Sequence, residues 1–104
     1  MEKYRKFITF YAGSSSYANN SYIQTALIDD SVEDIPNDLF YNCKNLRNVI
    51  ISNKVKSIDL SAFDECSSLQ EIRIAHSNEM IWNNTNWFKE LKDWCDTKLI
   101  KLIC

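Results

Sequence analysis

The sequence predicts an α/β solenoid with a parallel sheet of about four rungs on one side. Short helices or 3-10 turns form the other side, and a covering segment closes each end. Three observations predict this. First, apolar residues recur at a spacing of 23 between Ile28 and Ile74, in the pairs Ile28/Ile51, Val32/Val55, Ile35/Ile58, Phe40/Phe63, Cys43/Cys66, Leu46/Leu69, Val49/Ile72 and Ile51/Ile74. The residues between them do not match, as Lys44 against Ser67 illustrates, so the repeat specifies a core and leaves the surface free. A fixed period of this length marks units that bury their apolar faces against their neighbours. Second, the apolar period switches inside each repeat from two to three. Third, the 104 residues include one Gly and one Pro, which argues against a turn-rich sandwich and against disorder.

The chain divides into an N-terminal cover (1–16), the repeats (17–75), and a degenerate repeat with a C-terminal cover (76–104), all in one domain. Tyr4 to Tyr11 alternates and is rich in aromatic and β-branched residues, as a strand should be. It is expected to cover the open end of the stack. Gly13 and the three serines after it are a loop. Running the register backwards places Tyr17 at the Phe40 position, Asn20 at Cys43, Ile23 at Leu46 and Ala26 at Val49. The first repeat is therefore present with smaller or more polar core residues.

Val49-x-Ile51 and Ile72-x-Ile74 alternate like half-buried strands, which predicts parallel rungs near 25–28, 48–52 and 71–75. Phe40, Cys43 and Leu46, like Phe63, Cys66 and Leu69, stand three apart, which predicts helical turns near 37–44 and 60–67. The third copy drifts, and Trp87 or Phe88 is expected to take the Phe63 role. Trp87, Leu91, Trp94 and Cys95 stand at i, i+4, i+7 and i+8, an amphipathic helix with N-caps available at Asn84, Thr85 and Asn86. Residues 98–104 alternate and are read as a last strand beside 71–75.

The run Ile58-x-x-x-Ala62-Phe63-x-x-Cys66-x-x-Leu69-x-x-Ile72-x-Ile74 resembles the BspA-type leucine-rich repeat, and Ile35 through Ile51 fits as well, with Leu39 in place of Ala62. The resemblance implies a right-handed parallel superhelix and a use in protein or surface recognition. It covers residues 26–75. Ser52 and Ala75 stand where a proline often follows the strand, and Pro36 and Asp59 where a glycine is common.

Bulk charge is −2, which predicts no affinity for nucleic acid. No apolar run is long enough to span a membrane, and Phe7–Ala12 is too short for a signal-peptide core. These features read as cytoplasmic. Four cysteines at spacings of 23, 29 and 9 contain no CxxC, so no metal site is expected. Cys43 and Cys66 read as reduced core thiols, with a disulfide between neighbouring rungs as the alternative. No cofactor is implied, since one Gly cannot build a phosphate loop.

Catalysis is not expected. His76, the single histidine, stands just after a strand, whereas Cys66 points inward, so the two should not meet. Asp64 and Glu65 are adjacent acids on a turn, not carboxylates facing across a cleft.

Three features point to a protein partner. Leu27, Ile50 and Arg73 lie between the core pairs of the three strands and form an outward row, flanked by Asn48 and Glu71. Asp29, Asp30, Glu33 and Asp34, with Asp38, crowd into ten residues, and their inward neighbours Val32 and Ile35 force them onto one edge. Trp82 and Trp94 are the tail aromatics least accounted for by a helix core. The expected function is non-enzymatic protein–protein interaction through the outer sheet face, the acidic edge, or both. The alternative is a small phage- or mobile-element-encoded inhibitor, anti-CRISPR-like, that blocks the basic nucleic-acid groove of a host defence nuclease. A third reading is a fragment of a longer surface array.

Overall fold

A computed structural model describes residues 4–75 and 86–103. Strands β1 (Phe7–Phe10), β2 (Thr25–Ile28), β4 (Asn48–Ile51), β6 (Glu71–Ile74) and β7 (Lys101–Ile103) form one five-stranded parallel sheet in the order β1-β2-β4-β6-β7. A second wall is the short parallel pair β3 (Asp34–Ile35) and β5 (Ser57–Ile58). Helix α1 (Asn86–Lys98) precedes β7. The fold is an α/β repeat.

Register across the sheet follows the sequence period. Val49 pairs with Ala26 on one side and Ile72 on the other, and Ile51 pairs with Ile28 and Ile74. These residues point inward and are buried, together with Val32, Ile35, Leu39, Leu46 and Val55. Like residues thus stack on like residues between strands about 4.8 Å apart, which is why only the apolar positions must recur. The predicted strands at 25–28, 48–52 and 71–75 are present within a residue. The strand at 98–104 is β7, and it pairs in parallel with β6.

A third wall consists of turns joined by a backbone ladder. The N–H groups of Tyr17 and Asn19 donate to the carbonyls of Leu39 and Tyr41 at 2.9 and 2.7 Å. One repeat later, Phe40 and Asn42 donate to Ala62 and Asp64 at 2.9 and 2.8 Å. Asn19, Asn42 and Glu65 all have positive φ, so the left-handed bend recurs with the same 23-residue period.

Two expectations for this wall need correction. Residues 60–63 form a 3-10 segment, but 37–44 form only hydrogen-bonded turns. Asp59 caps the 3-10 segment by accepting from the Ser61 N–H and hydroxyl. Its counterpart one repeat earlier is Pro36, which has no side-chain acceptor, and Asp38 at φ 61° breaks any right-handed helix there. The ring in register with Phe63 comes from Trp94, not from Trp87 or Phe88. Tyr17, Phe40 and Phe63 stack at 6.1 Å per step with planes 21° apart, and Trp94 continues the column at 5.8 Å. Helix geometry explains the change. Trp87, Phe88, Leu91 and Cys95 fill the buried face of α1, and Trp94 sits on its flank, turned toward Phe63.

α1 ends in a Schellman motif. Ile100 N–H donates to Cys95 O at 2.8 Å and Leu99 N–H to Asp96 O at 3.3 Å, with Leu99 at φ 60°. That reversal starts β7.

Candidate interaction surface

The side of the sheet opposite the core carries two rows of side chains. One reads Thr9, Leu27, Ile50, Arg73, Ile103 and the other Phe7, Thr25, Asn48, Glu71, Lys101. Alternation along each strand puts these residues outward because their neighbours are committed to the core. The sheet therefore brings together Leu27, Ile50, Arg73, Asn48 and Glu71. Leu27 and Ile50 are half-buried rather than exposed, and neighbouring strands shade them. Arg73 and Glu71 lie 3.9 Å apart on one strand and form a weak polar rim.

Sequence reasoning missed the contribution of β1 to this face. Phe7 is 54% exposed, Thr9 lies beside Leu27, and Tyr11, just past the strand, is 53% exposed. The face is thus uncharged at β1, β2 and β4, where Phe7, Leu27 and Ile50 are its apolar members, and it carries its charges at β6 and β7. Alternation of Phe7 and Thr9 against buried Ile8 and Phe10 was the available signal. The spacing obscured it, because Phe7 pairs with Thr25 at 18 residues rather than 23.

The acidic stretch lies along the adjoining turns. Asp29 is held by hydrogen bonds from the Ser31 hydroxyl and backbone N–H and from the Asp30 N–H, which lower its pKa against a small opposing effect of burial. Asp30 accepts from the Ser52 hydroxyl at 2.6 Å and Asp34 from the Ser57 hydroxyl at 2.5 Å. Glu33 pairs with Lys56 at 3.1 Å, both well exposed. No basic residue is near these acids in sequence, but the next rung supplies one in space. Among the described residues, Asp29, Asp30 and Asp34 have serine partners rather than cations.

Trp94 is not part of either surface. It belongs to the ring column and, with Phe63, Cys66 and Leu69, lines a groove of about 530 Å³ beside the last turn. Trp82, like His76 and the capping candidates Asn84 and Thr85, lies outside the described residues, and Cys104 does too.

The thiols repeat their surroundings as well as their spacing. Cys43 Sγ donates to Tyr17 O at 3.2 Å, and Cys66 Sγ to Phe40 O at 3.0 Å. Both are free, as is Cys95. Burial pushes the thiol pKa of Cys43 and Cys95 up to about 11 and that of Cys66 up to about 12. Cys43 is fully buried, but Cys66 is only half-buried, contrary to expectation. Each turn is covered by the next, and no further turn of the ladder lies over 64–69 among the described residues. The thiols are poor nucleophiles, since reactivity follows the thiolate. Among the described residues, no three or more His, Cys, Asp or Glu side chains are grouped so as to hold a metal ion, and no helix is long and apolar enough to cross a membrane.

Parallel rungs, a recurrent apolar stack and a ladder of turns define a solenoid repeat protein. A model described as BspA type leucine rich repeat region (6 copies) matches residues 9–98, and the chain belongs to that family. Neither a curated protein nor a solved structure matches it.

Proposed function

We propose that this chain is a non-enzymatic protein-binding module that engages a partner through the outer face of β1, β2 and β4. One observation carries the reading. Leu27 and Ile50 sit side by side at the centre of a face otherwise built of Thr9, Thr25 and Asn48, with exposed Phe7 and Tyr11 at its margin. An apolar centre, an aromatic margin and a polar rim are the anatomy of a contact patch. Both ends of the stack have covering segments in this reading, residues 4–16 at one and α1 with β7 at the other.

The test is Ile50→Asp. Folding should persist, because the side chain points away from the core. Affinity for the partner should fall by about tenfold or more, because the charge would enter the contact without a matching group. Unchanged affinity would move the contact off this face.

A second reading keeps the acidic edge. Asp30, Asp34 and Asp38 are exposed, and only Glu33 of that stretch is paired with a cation among the described residues. Such an edge suits a basic groove, which is the basis for an inhibitor of a nucleic-acid-binding enzyme.

A further inference from the structure

We infer that the open edge of β1 is a strand-addition site for an extended, acidic segment of a partner protein. This goes beyond the face reading, since it concerns backbone groups at one end of the sheet.

Hydrogen-bond parity defines the site. In the β1–β2 pair, Thr25 N–H donates to Lys6 O at 2.9 Å and Asp29 N–H to Phe10 O at 3.0 Å. Lys6, Ile8 and Phe10 therefore direct their backbone toward β2, and Phe7 and Thr9 direct theirs to the other edge, which no strand occupies among the described residues. Tyr11 is closed off locally, since its carbonyl accepts from Ser14 N–H at 3.0 Å and its N–H donates to Ser14 Oγ at 3.3 Å. Two residues thus present both a donor and an acceptor, the pattern an added strand completes.

The surroundings favour occupation. A groove of about 360 Å³ runs along this edge, lined on its inner side by Ile8, Ser14 and Tyr17. An added strand would direct alternate side chains into it. Phe7 and Tyr11 flank the edge as exposed aromatics. Proteins usually protect such edges with charge or brevity. The opposite edge follows that practice, as β7 is three residues long and begins with exposed Lys101. β1 is one residue longer and carries no charge within Phe7–Phe10, so its charges are confined to Arg5 and Lys6 just before it.

Charge selects the occupant. Arg5 and Lys6 are exposed at the start of β1, and no Asp or Glu occurs between Lys3 and Ile28. The edge is positive at its start. It fits an extended segment with alternating apolar residues and with carboxylates at the end beside Arg5 and Lys6.

The probe is a set of capped, fluorescein-labelled octapeptides of alternating valine and threonine, with two glutamates at either end and valine in either register. The set covers both strand directions. Binding is followed by anisotropy and amide exchange by NMR. The expected result is saturable binding by one member. The Phe7 and Thr9 amides should gain protection, and Ile8 and Phe10, already bonded to β2, should not change. N-methylation at the peptide positions facing β1 should weaken binding by about tenfold or more, and N-methylation at alternate positions should not. Arg5→Glu with Lys6→Glu should weaken the acidic peptide and spare one with glutamine in place of glutamate. Three results would overturn the proposal. They are no binding by any member at about 1 mM, binding indifferent to N-methylation, or protection of Phe7 and Thr9 in a dimer without peptide, which would make a second copy the occupant. Ile50→Asp should leave peptide binding intact, so failure of the face reading and failure of the edge proposal are distinguishable.

Discussion

The rings of Phe40 and Phe63 lie 6.1 Å apart with planes 21° from parallel, and the Tyr17–Phe40 pair has the same spacing and tilt. Identical geometry at successive steps follows from aromatic residues placed one 23-residue repeat apart on turns joined by the backbone ladder. The column bridges the ladder of turns and the helix, because Trp94 closes it at the α1 end.

Removal of an internal member should therefore be costly. Phe63→Ala should destabilise the fold by about 3–5 kcal/mol, through lost burial and the cavity left between Phe40 and Trp94. Urea unfolding followed by tryptophan fluorescence measures it. A loss below about 1 kcal/mol would show that the column is not a structural spine.

The left-handed bend at 19, 42 and 65 gives a prediction of opposite sign. Asn42 Nδ2 donates to Asn19 Oδ1 at 2.9 Å, and Glu65 at the next step cannot donate in that way. Asparagine also tolerates positive φ better than glutamate. Glu65→Asn should raise stability by about 0.5–1 kcal/mol, read as a higher urea midpoint with an unchanged slope.

Leu99 offers a second gain. It is 92% exposed at φ 60°, at the Schellman position where glycine is usual. Leu99→Gly relieves a steric cost of about 1–2 kcal/mol against a smaller entropic loss. A rise of up to about 1 kcal/mol in unfolding free energy is expected. A fall would mean that the exposed side chain makes a contact of its own.

The thiols predict a pH response. Cys43 and Cys95 hold their protons to about 11 when folded, against an ordinary 9.0. Between these values the unfolded chain binds fewer protons than the folded one, so stability is full below about 9 and declines as pH rises toward 11. Cys43→Ala should show a shallower decline than the parent between about pH 8 and about pH 10. Among the three described cysteines, half-buried Cys66 should react first with a thiol reagent, and Cys43 should wait for unfolding.

Neutralising the acidic edge separates solvation from recognition. Asp29, Asp30, Glu33 and Asp34 changed to Asn or Gln should slow association with a basic partner and flatten its salt dependence. The Glu33–Lys56 pair, exposed on both sides, should contribute little to stability in the same experiment. An association rate unchanged at low and high salt would leave the edge as solvated surface.

By itself the sequence determined the rungs. Burial at Val49, Ile51, Ile72 and Ile74 follows from a period that each short segment carries locally, and stacking only repeats it. For the same reason the outward row of Leu27, Ile50 and Arg73 was legible without coordinates. The tertiary structure decided whatever depended on how unlike segments meet. β1 joins the outer face at a spacing of 18 residues, which no 23-residue register reveals. Lys56 answers Glu33 because the β3–β5 pair brings adjacent rungs together, and charges on the surface carry no period to announce it. Trp94 rather than Trp87 or Phe88 completes the ring column, because the rotation of α1 about its own axis is fixed by packing, and an amphipathic pattern leaves that rotation open among neighbouring aromatics.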